Sequence, residues 1–151
     1  MYRSIAAIAL MFAGLALPGC GGTTSAAVPE EEAPAIVEAV AGQASLNRIT
    51  LTERAAERLG VQTAEVFAAP GAAGRTEIPY SAVIYDADGG EWAYVVAGAA
   101  LVFVRHAITI EDIVARQAGD VAVLSQGPKA GTSVVSVGVA ELYGAEFAVG
   151  H

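Results

Sequence analysis

Hydrophobic and polar residues alternate along much of this chain, most regularly from Leu101 to Glu111. One face of this segment carries four aliphatic residues and a histidine, namely Val102, Val104, His106, Ile108 and Ile110. The opposite face carries Phe103, Arg105, Ala107, Thr109 and Glu111. Successive side chains of a strand point to opposite faces, so the pattern predicts a single strand with one buried and one solvated face.

A β-hairpin is predicted between Ile78 and Val96. Two segments rich in β-branched and aromatic residues flank the Asp/Gly cluster that begins at Asp86, which is the composition of two strands joined by a tight connection. Pro79 has no backbone N–H to donate, so it belongs at the start of its strand. The tail at 140–147 fits either one helical turn or a last edge strand. Shorter runs with turn residues between them predict further strands at 49–51, 61–67, 121–125 and 134–137.

A short helix is predicted over 53–59. Thr52 is a favoured N-cap residue, and Gly60 is suited to the left-handed conformation that ends a helix. Thr50 with Glu53 would instead form a capping box that starts earlier, which leaves the first residue of the helix open. Together the elements predict a mainly β fold, a small β-barrel or sandwich of about six short strands with one short helix.

The first 19 residues have the pattern of a secretory signal peptide. Arg3 precedes an unbroken apolar run from Ile5 to Leu17. This run is too short to cross a hydrocarbon core of about 30 Å, and its length matches the apolar region of a signal peptide. The motif Leu-Pro-Gly-Cys that ends at Cys20 resembles the lipobox of bacterial lipoproteins. The resemblance implies lipidation of Cys20 and a membrane-anchored position in the periplasm or cell envelope; a free thiol is the alternative.

Residues 20–45 are predicted to form a flexible tether. They are rich in Gly, Thr, Ser, Ala and Pro, contain the acidic run Glu30–Glu32 and lack aromatic residues. Such a segment buries too little apolar surface to offset the entropy of ordering it. We therefore divide the chain into a signal peptide at 1–19, a lipid-anchored tether at 20–45 and one folded domain at 46–151.

The charge of the chain limits its partners. The sequence contains 8 Lys and Arg residues and 16 Asp and Glu residues, a formal net charge of −8. An acidic surface repels phosphate backbones, so nucleic-acid binding is not expected.

Catalytic and metal-binding sites find little support in the sequence. The serines in and beside strands lack a nucleophile elbow. His106 is in register with aliphatic residues and is interpreted as a core or edge histidine rather than a ligand. Asp86, Asp88 and Glu91 could hold Ca²⁺ weakly, although a hairpin turn explains them more simply. We therefore expect no enzyme activity, no cofactor and no metal.

Four aromatic residues of the predicted hairpin are candidates for partner contact. They are Tyr80, Tyr85, Trp92 and Tyr94. Aromatic side chains anchor many protein interfaces, so an exposed group of them would form a docking patch. The alternative is that they pack in the core or lie at strand ends.

Three motifs follow one another in the predicted strands. In chain order they are Ile78-Pro79-x-x-Ala82-Val83, Trp92-x-Tyr94-Val95 and Gly127-x-x-x-Gly131-x-x-Val134-Val135-x-x-Gly138. This order resembles the C-terminal region of periplasmic adaptor subunits, the HlyD-like membrane fusion proteins of tripartite RND-type efflux systems. Residues 49–66 also resemble the segment that opens the mature part of those adaptors. In the family the two regions meet in the membrane-proximal domain, and here only residues 67–77 separate them.

The resemblance implies a non-enzymatic, lipid-anchored scaffold that docks on an inner-membrane transporter or on a full-length adaptor in transmembrane transport. The chain is too short for the α-hairpin, lipoyl-like domain and β-barrel that a full adaptor places between the two regions, so a complete bridging role is not expected. Two alternatives remain open. One is an extracytoplasmic module that binds a small molecule or a metal, and the other is a truncated relic of an adaptor.

Overall fold

The computed structural model of the protein describes residues 33–148. The predicted signal peptide, Cys20 and the first part of the predicted tether lie outside the described residues. Neither helix of the described part combines the length and the apolar composition needed to cross a membrane.

The larger of two antiparallel sheets, sheet A, contains seven strands. They are β1 (Ala35–Val40), β2 (Gln43–Leu51), β3 (Gln62–Glu65), β6 (Val83–Tyr85), β7 (Glu91–Val96), β8 (Val102–Ala107) and β11 (Ser133–Val137). Their order across the sheet is β1-β2-β8-β7-β11-β3, and β6 pairs with β7. The predicted hairpin is present as β6 and β7, with Val83 opposite Ala93 and Tyr85 opposite Glu91.

The smaller sheet, sheet B, contains four strands in the order β4-β5-β10-β9. They are β4 (Phe67–Ala68), β5 (Thr76–Pro79), β9 (Thr109–Val114) and β10 (Val121–Gln126). A 3₁₀ turn at Tyr80–Ala82 carries the chain from β5 in sheet B to β6 in sheet A. Pro79 is therefore the last residue of its strand rather than one of the first.

Helix α1 (Glu53–Leu59) has the predicted bounds and caps. The Thr52 hydroxyl accepts a hydrogen bond from Ala55 N at 3.2 Å, so Thr52 rather than Thr50 is the N-cap. Gly60 lies in the left-handed region with φ of 62°. These signals are local, because a cap needs only backbone groups within one turn of the helix.

Two hydrophobic cores lie on opposite faces of sheet A. The first packs sheet A against α1 and a second helix, α2 (Val139–Ala148). Its buried residues are Ile49, Leu51, Ala55, Tyr94, Phe103, Val135, Val139 and Leu142. The second packs sheet A against sheet B, and its buried residues are Val66, Ile78, Ala82, Ala93, Ile108, Ala122, Leu124 and Val134.

The architecture confirms a mainly β, sandwich-like fold and corrects its details. The described residues form eleven short strands and two α-helices rather than about six strands and one helix. The two sheets do not close into a barrel within this part of the chain. The tail at 140–147 is helical, because α2 covers the apolar face of sheet A that β2, β7 and β8 present.

The segment from Leu101 to Glu111 is not one strand. It divides into β8 and β9, which belong to different sheets, at the buried residue Ile108. Phe103 is buried beneath the helices, whereas His106 is exposed. Of the two positions predicted for His106, in the core or at an edge, the core position is therefore wrong. The alternating pattern cannot reveal the division, because a strand that changes sheets can keep a period of two. The predicted strand at 61–67 divides in the same way, into β3 and β4 around buried Val66.

The predicted tether ends earlier than residue 45. Strand β1 and the start of β2 lie within the range assigned to it, so the folded domain begins before Leu46. Ala35 pairs with Leu51 and Val37 with Ile49. Neighbouring strands thus supply the burial that this Ala- and Val-rich segment lacks by itself.

Candidate partner-contact surface

The four aromatic candidates do not form one patch. Ile84 lies opposite Trp92 and Tyr85 lies opposite Glu91. Since adjacent residues of a strand point to opposite faces, Tyr85 and Trp92 lie on opposite faces of sheet A. Trp92 shares the helix-covered face with Tyr94, whereas Tyr85 is on the face that turns towards sheet B.

Tyr94 is a core residue, so its assignment as a partner contact is wrong. Its side chain is 0% exposed. Its hydroxyl donates a hydrogen bond to Glu146 Oε2 at 2.6 Å. Burial, reinforced by the hydrogen bond to Glu146, raises the pKa of Tyr94 well above its ordinary value. Tyr94 therefore remains a neutral hydrogen-bond donor in the folded protein.

Tyr80 and Tyr85 come together at the surface. Their hydroxyl oxygens are 3.3 Å apart, and Tyr85 is 47% exposed. The hydrogen bond with Tyr80 raises the pKa of Tyr85 to about 12. This tyrosine pair offers an aromatic surface with polar tips, a combination that is common at protein interfaces.

Trp92 is held by the hairpin turn that precedes it. Asp86 Oδ2 accepts a hydrogen bond from the Trp92 indole N–H at 2.7 Å. Asp86 Oδ1 accepts from the backbone N–H groups of Gly90 at 2.7 Å and Asp88 at 3.0 Å. The Trp92 hydrogen bond, followed by that from Gly90, lowers the pKa of Asp86. A Cβ at Gly90 would lie 2.7 Å from Asp86 Oδ2 and 2.9 Å from Trp92 Nε1, so a larger residue there would displace the Asp86–Trp92 hydrogen bond.

These hydrogen bonds confirm that Asp86 is a turn residue. Its carboxylate is committed to the turn, and Glu91 Oε2 accepts from Ile110 N of β9, in sheet B, at 2.7 Å. Within residues 33–148, no three acidic, histidine or cysteine side chains approach closely enough to hold a metal ion.

Trp92 also takes part in a buried charge cluster that the sequence analysis did not find. The Arg105 guanidinium lies 4.6 Å from the Trp92 ring centroid and 4.9 Å from that of Phe147. Arg105 Nε is 3.0 Å from Oε1 and 2.8 Å from Oε2 of Glu146. The two charged side chains are only 6% and 0% exposed. Stacking and pairing of this kind stabilise an arginine away from water.

The same cluster connects α2 to three strands of sheet A. Arg105 Nη2 donates to Ser45 O at 3.3 Å, and Asn47 Nδ2 donates to Glu146 Oε1 at 3.4 Å. With Tyr94, these contacts join β2, β7, β8 and α2 at one point. The available sequence signal was weak: Glu146 is a single acid in an apolar stretch, and Arg105 follows Phe103 on one strand face.

An open groove of about 570 Å³ crosses the outer face of sheet B. Two ion pairs lie in its lining, Arg75 with Glu111 and Arg116 with the largely buried Glu77, the second at 2.8 Å. The hydrogen bond with Glu111 raises the pKa of the Arg75 guanidinium. Val123 of β10 lies in the lining of the groove. Pairing of β5, β9 and β10 brings these residues together from distant parts of the sequence.

Comparison with known proteins yields no match. No family model matches the chain, and no curated protein or solved structure is significantly similar to it. The resemblance to periplasmic adaptors therefore depends on the motifs quoted above.

Proposed function

We propose that this protein is a non-enzymatic, lipid-anchored module of the cell envelope that docks on an inner-membrane transporter or on a full-length periplasmic adaptor. In this role it acts as a scaffold in transmembrane transport and does not convey substrate itself. Cys20 supplies the membrane anchor, and the folded domain supplies the contact with the partner.

The closure of two chain regions into one sheet supports this proposal most directly. Leu51 N donates to Leu101 O at 3.0 Å, and Val66 N donates to Thr132 O at 2.8 Å. The chain before residue 67 thus pairs directly with the chain after residue 77, through β2 with β8 and β3 with β11. The resemblance to adaptors implies this association of an opening and a closing region in one membrane-proximal unit.

The tyrosine pair is the proposed partner contact. Tyr80 and Tyr85 are on the surface, their hydroxyls can bond to each other or to a partner, and Tyr85 has a large exposed area. Trp92 is half-buried and is held by Asp86 and Arg105, so we expect it to contribute through its exposed edge.

Site-specific photocrosslinking in the native host tests the docking proposal. A photoreactive residue at Tyr85 is expected to capture a transporter or adaptor subunit. The matched control is the same residue at Phe67, which is 56% exposed on sheet B. Deletion of the gene is expected to increase sensitivity to drugs, metals or detergents. Unchanged resistance together with no transporter component captured at Tyr85 would reject the proposal.

A small-molecule binding module is the second candidate, because the groove on sheet B could hold a polar ligand between its ion pairs. Thermal-shift screening of the protein with and without the Glu77→Gln/Glu111→Gln double substitution tests it. A ligand that raises the melting temperature of the unsubstituted protein alone would favour this function over docking.

A further inference from the structure

Strand β1 (Ala35–Val40) is an edge of sheet A. It pairs with β2 on one side, with Ala35 opposite Leu51 and Val37 opposite Ile49. Within residues 33–148, no strand pairs with its other side. An edge strand presents a row of backbone N–H and C=O groups to which another strand can bond.

One hydrogen bond on the far side of β2 identifies the residues of β1 that present these groups. Leu51 N donates to Leu101 O at 3.0 Å, so the backbone of Leu51 points away from β1. Ala35 lies opposite Leu51 and therefore forms a non-hydrogen-bonded pair with it, in which the N–H and C=O of Ala35 point away from β2. The orientation repeats at every second residue. Ala35, Val37 and Ala39 thus face outwards, and each has an N–H to donate.

The side chains of β1 also suit pairing with a further strand. Ala35 and Val37 pack against the helix-covered core, whereas Ile36 points to the other face and is 56% exposed. Glu38 is the one charged residue of the strand, and Arg48 of β2 lies opposite it. Proline and lysine, which commonly protect an edge strand, do not occur in β1. The edge is therefore open to another strand.

The sequence of β1 fits a second copy of itself in one register. In an antiparallel pair of two β1 strands, outward-facing residues must lie opposite outward-facing residues. With Val37 opposite Val37 of the second copy, the whole edge from Ala35 to Ala39 is paired, and Ile36 lies opposite Glu38. The next permitted register towards the C-terminus sets Glu38 opposite Glu38, which is unfavourable for like charges. The next one towards the N-terminus leaves only three residues of β1 paired.

We propose that β1 pairs antiparallel with β1 of a second copy of this chain, about a two-fold axis at Val37, so that two copies of sheet A become one continuous sheet. A two-fold contact of this kind closes with two subunits. One strand pair buries less than the about 1,200–2,000 Å² of a stable interface, so the dimer is expected to be weak, with a Kd between about 10 μM and 1 mM. The dimer would present two tyrosine pairs to a partner; only this consequence rests on the proposed function.

Disulfide crosslinking in cells that produce the full chain tests the pairing and its register. Opposite residues of a non-hydrogen-bonded pair have Cα atoms about 4.5 Å apart, within the range of about 4.4–6.8 Å that a disulfide spans. Two differently tagged chains, one with Ile36→Cys and one with Glu38→Cys, should therefore crosslink to each other several-fold more than either crosslinks to itself. The unsubstituted chain, which keeps Cys20, gives the background. A mixed dimer at background level, or one no more abundant than the two self-crosslinked dimers, would overturn the proposal.

Sedimentation velocity of the purified full chain measures the dimer without a crosslink. Ile36→Glu places a like charge opposite Glu38 of the second copy, whereas Ile36→Lys places an opposite charge there. Because the dimer contains this cross-strand pair twice, the Kd of Ile36→Lys should be about tenfold lower than that of Ile36→Glu. Ile36 is exposed, so both variants are expected to fold, and circular dichroism checks this.

The matched controls are Phe67→Glu and Phe67→Lys, which make the same changes of charge at an equally exposed residue of sheet B. Their Kd values should agree with each other within about twofold, since general charge repulsion is screened by salt. A chain that stays monomeric up to about 1 mM would overturn the proposal, because its Kd would lie above the expected range. A difference between the Ile36 variants no larger than that between the Phe67 variants would do the same. Neither measurement involves a transporter, so failure of the dimer leaves the docking proposal intact.

Discussion

Among single residues, Arg105 and Glu146 form a buried ion pair between β8 and α2. Removing two charges from water is costly unless their remaining polar atoms are bonded. Here Tyr94 and Asn47 donate to Glu146, and Trp92 and Phe147 stack on Arg105. In the described residues, no buried side-chain nitrogen or oxygen lacks a hydrogen-bond partner. The cluster is therefore a satisfied polar network that fixes the position of α2 on the sheet.

Substitution of one partner of this ion pair is expected to lower the free energy of unfolding more than replacement of both partners by apolar residues. Glu146→Ala should lower the free energy of unfolding by about 3–5 kcal/mol, because it leaves the Arg105 charge buried without a partner. The double variant Arg105→Leu/Glu146→Leu should lose less than Glu146→Ala. Urea denaturation measures these differences. Glu141→Ala, at an exposed position of the same helix, is the control and should change stability by less than about 0.5 kcal/mol. Similar losses for Glu141→Ala and Glu146→Ala would contradict this description of the pair.

Asp86 is expected to make stability sensitive to acid. Its pKa is lowered in the folded protein, so its contribution is complete above its unfolded pKa of about 3.9 and is lost as pH falls through the lower folded value. Asp86→Asn cannot ionise, and its amide cannot accept the Trp92 hydrogen bond through nitrogen. Asp86→Asn should therefore be less stable than the unsubstituted protein at about pH 7. The difference in stability between the two proteins should narrow towards about pH 3.

Melting temperatures measured across this pH range check the expectation. Asp88→Asn is the control in the same turn, because Asp88 contributes its backbone N–H rather than its carboxylate to the Asp86 cap. A constant difference between Asp86→Asn and the unsubstituted protein at all pH values would show that the carboxylate charge is not involved.

At the scale of elements, the junction between β11 and α2 depends on a glycine. Gly138 has φ of +85°, and a Cβ there would lie 3.0 Å from Val61 Cγ2. Gly144 lies within α2 with open space around it. Gly138→Ala should destabilise the protein by about 1–3 kcal/mol because the backbone conformation is strained for alanine. Gly144→Ala should stabilise it by about 0.5–1 kcal/mol, since alanine favours a helix interior.

Thermal unfolding of the two variants provides the measurement, and each variant is the control for the other. Both add one methyl group within or beside the same helix, so opposite signs isolate the effect of backbone conformation. Destabilisation by both substitutions would place the cause in the packing of α2 instead.

For the molecule as a whole, the position at which the folded domain begins can be tested. The predicted tether boundary lies at residue 45, whereas the structure includes β1 in the domain. A fragment that begins at Leu46 lacks β1 and the start of β2. It therefore exposes the edge of β2 at Ile49 and Leu51, which pairs with β1 in the structure. Relative to a fragment that begins at Ala33, it should lose at least about 2 kcal/mol of unfolding free energy, from the apolar area exposed. Chemical denaturation of the two fragments checks this. Equal stability would favour the predicted tether boundary at residue 45.

The two sheets differ in size, and only some strands of sheet A are covered by sheet B. Sheet B packs on sheet A through residues of β6, β7 and β11, and the buried residues of β2 and β8 belong to the core beneath the helices. The tyrosine pair and the groove on the outer face of sheet B thus lie on different parts of one domain. Each of the proposed contacts can be tested without altering the others.

Elements whose signals are local can be predicted from the amino-acid sequence. Thr52 and Gly60 define α1 through backbone groups within one turn, and the Asp86 turn defines the β6–β7 hairpin. The predicted strands at 121–125 and 134–137 correspond to β10 and β11.

Features that depend on partners distant in the chain are visible only in the folded protein. It divided the residues around Ile108 between two sheets, made β1 a strand, and buried Arg105 against Glu146. Alternation shows that one face of a strand is apolar, but it is the same whichever sheet covers that face. An arginine or a glutamate is buried only where another element supplies the opposite charge, and no local pattern specifies that element.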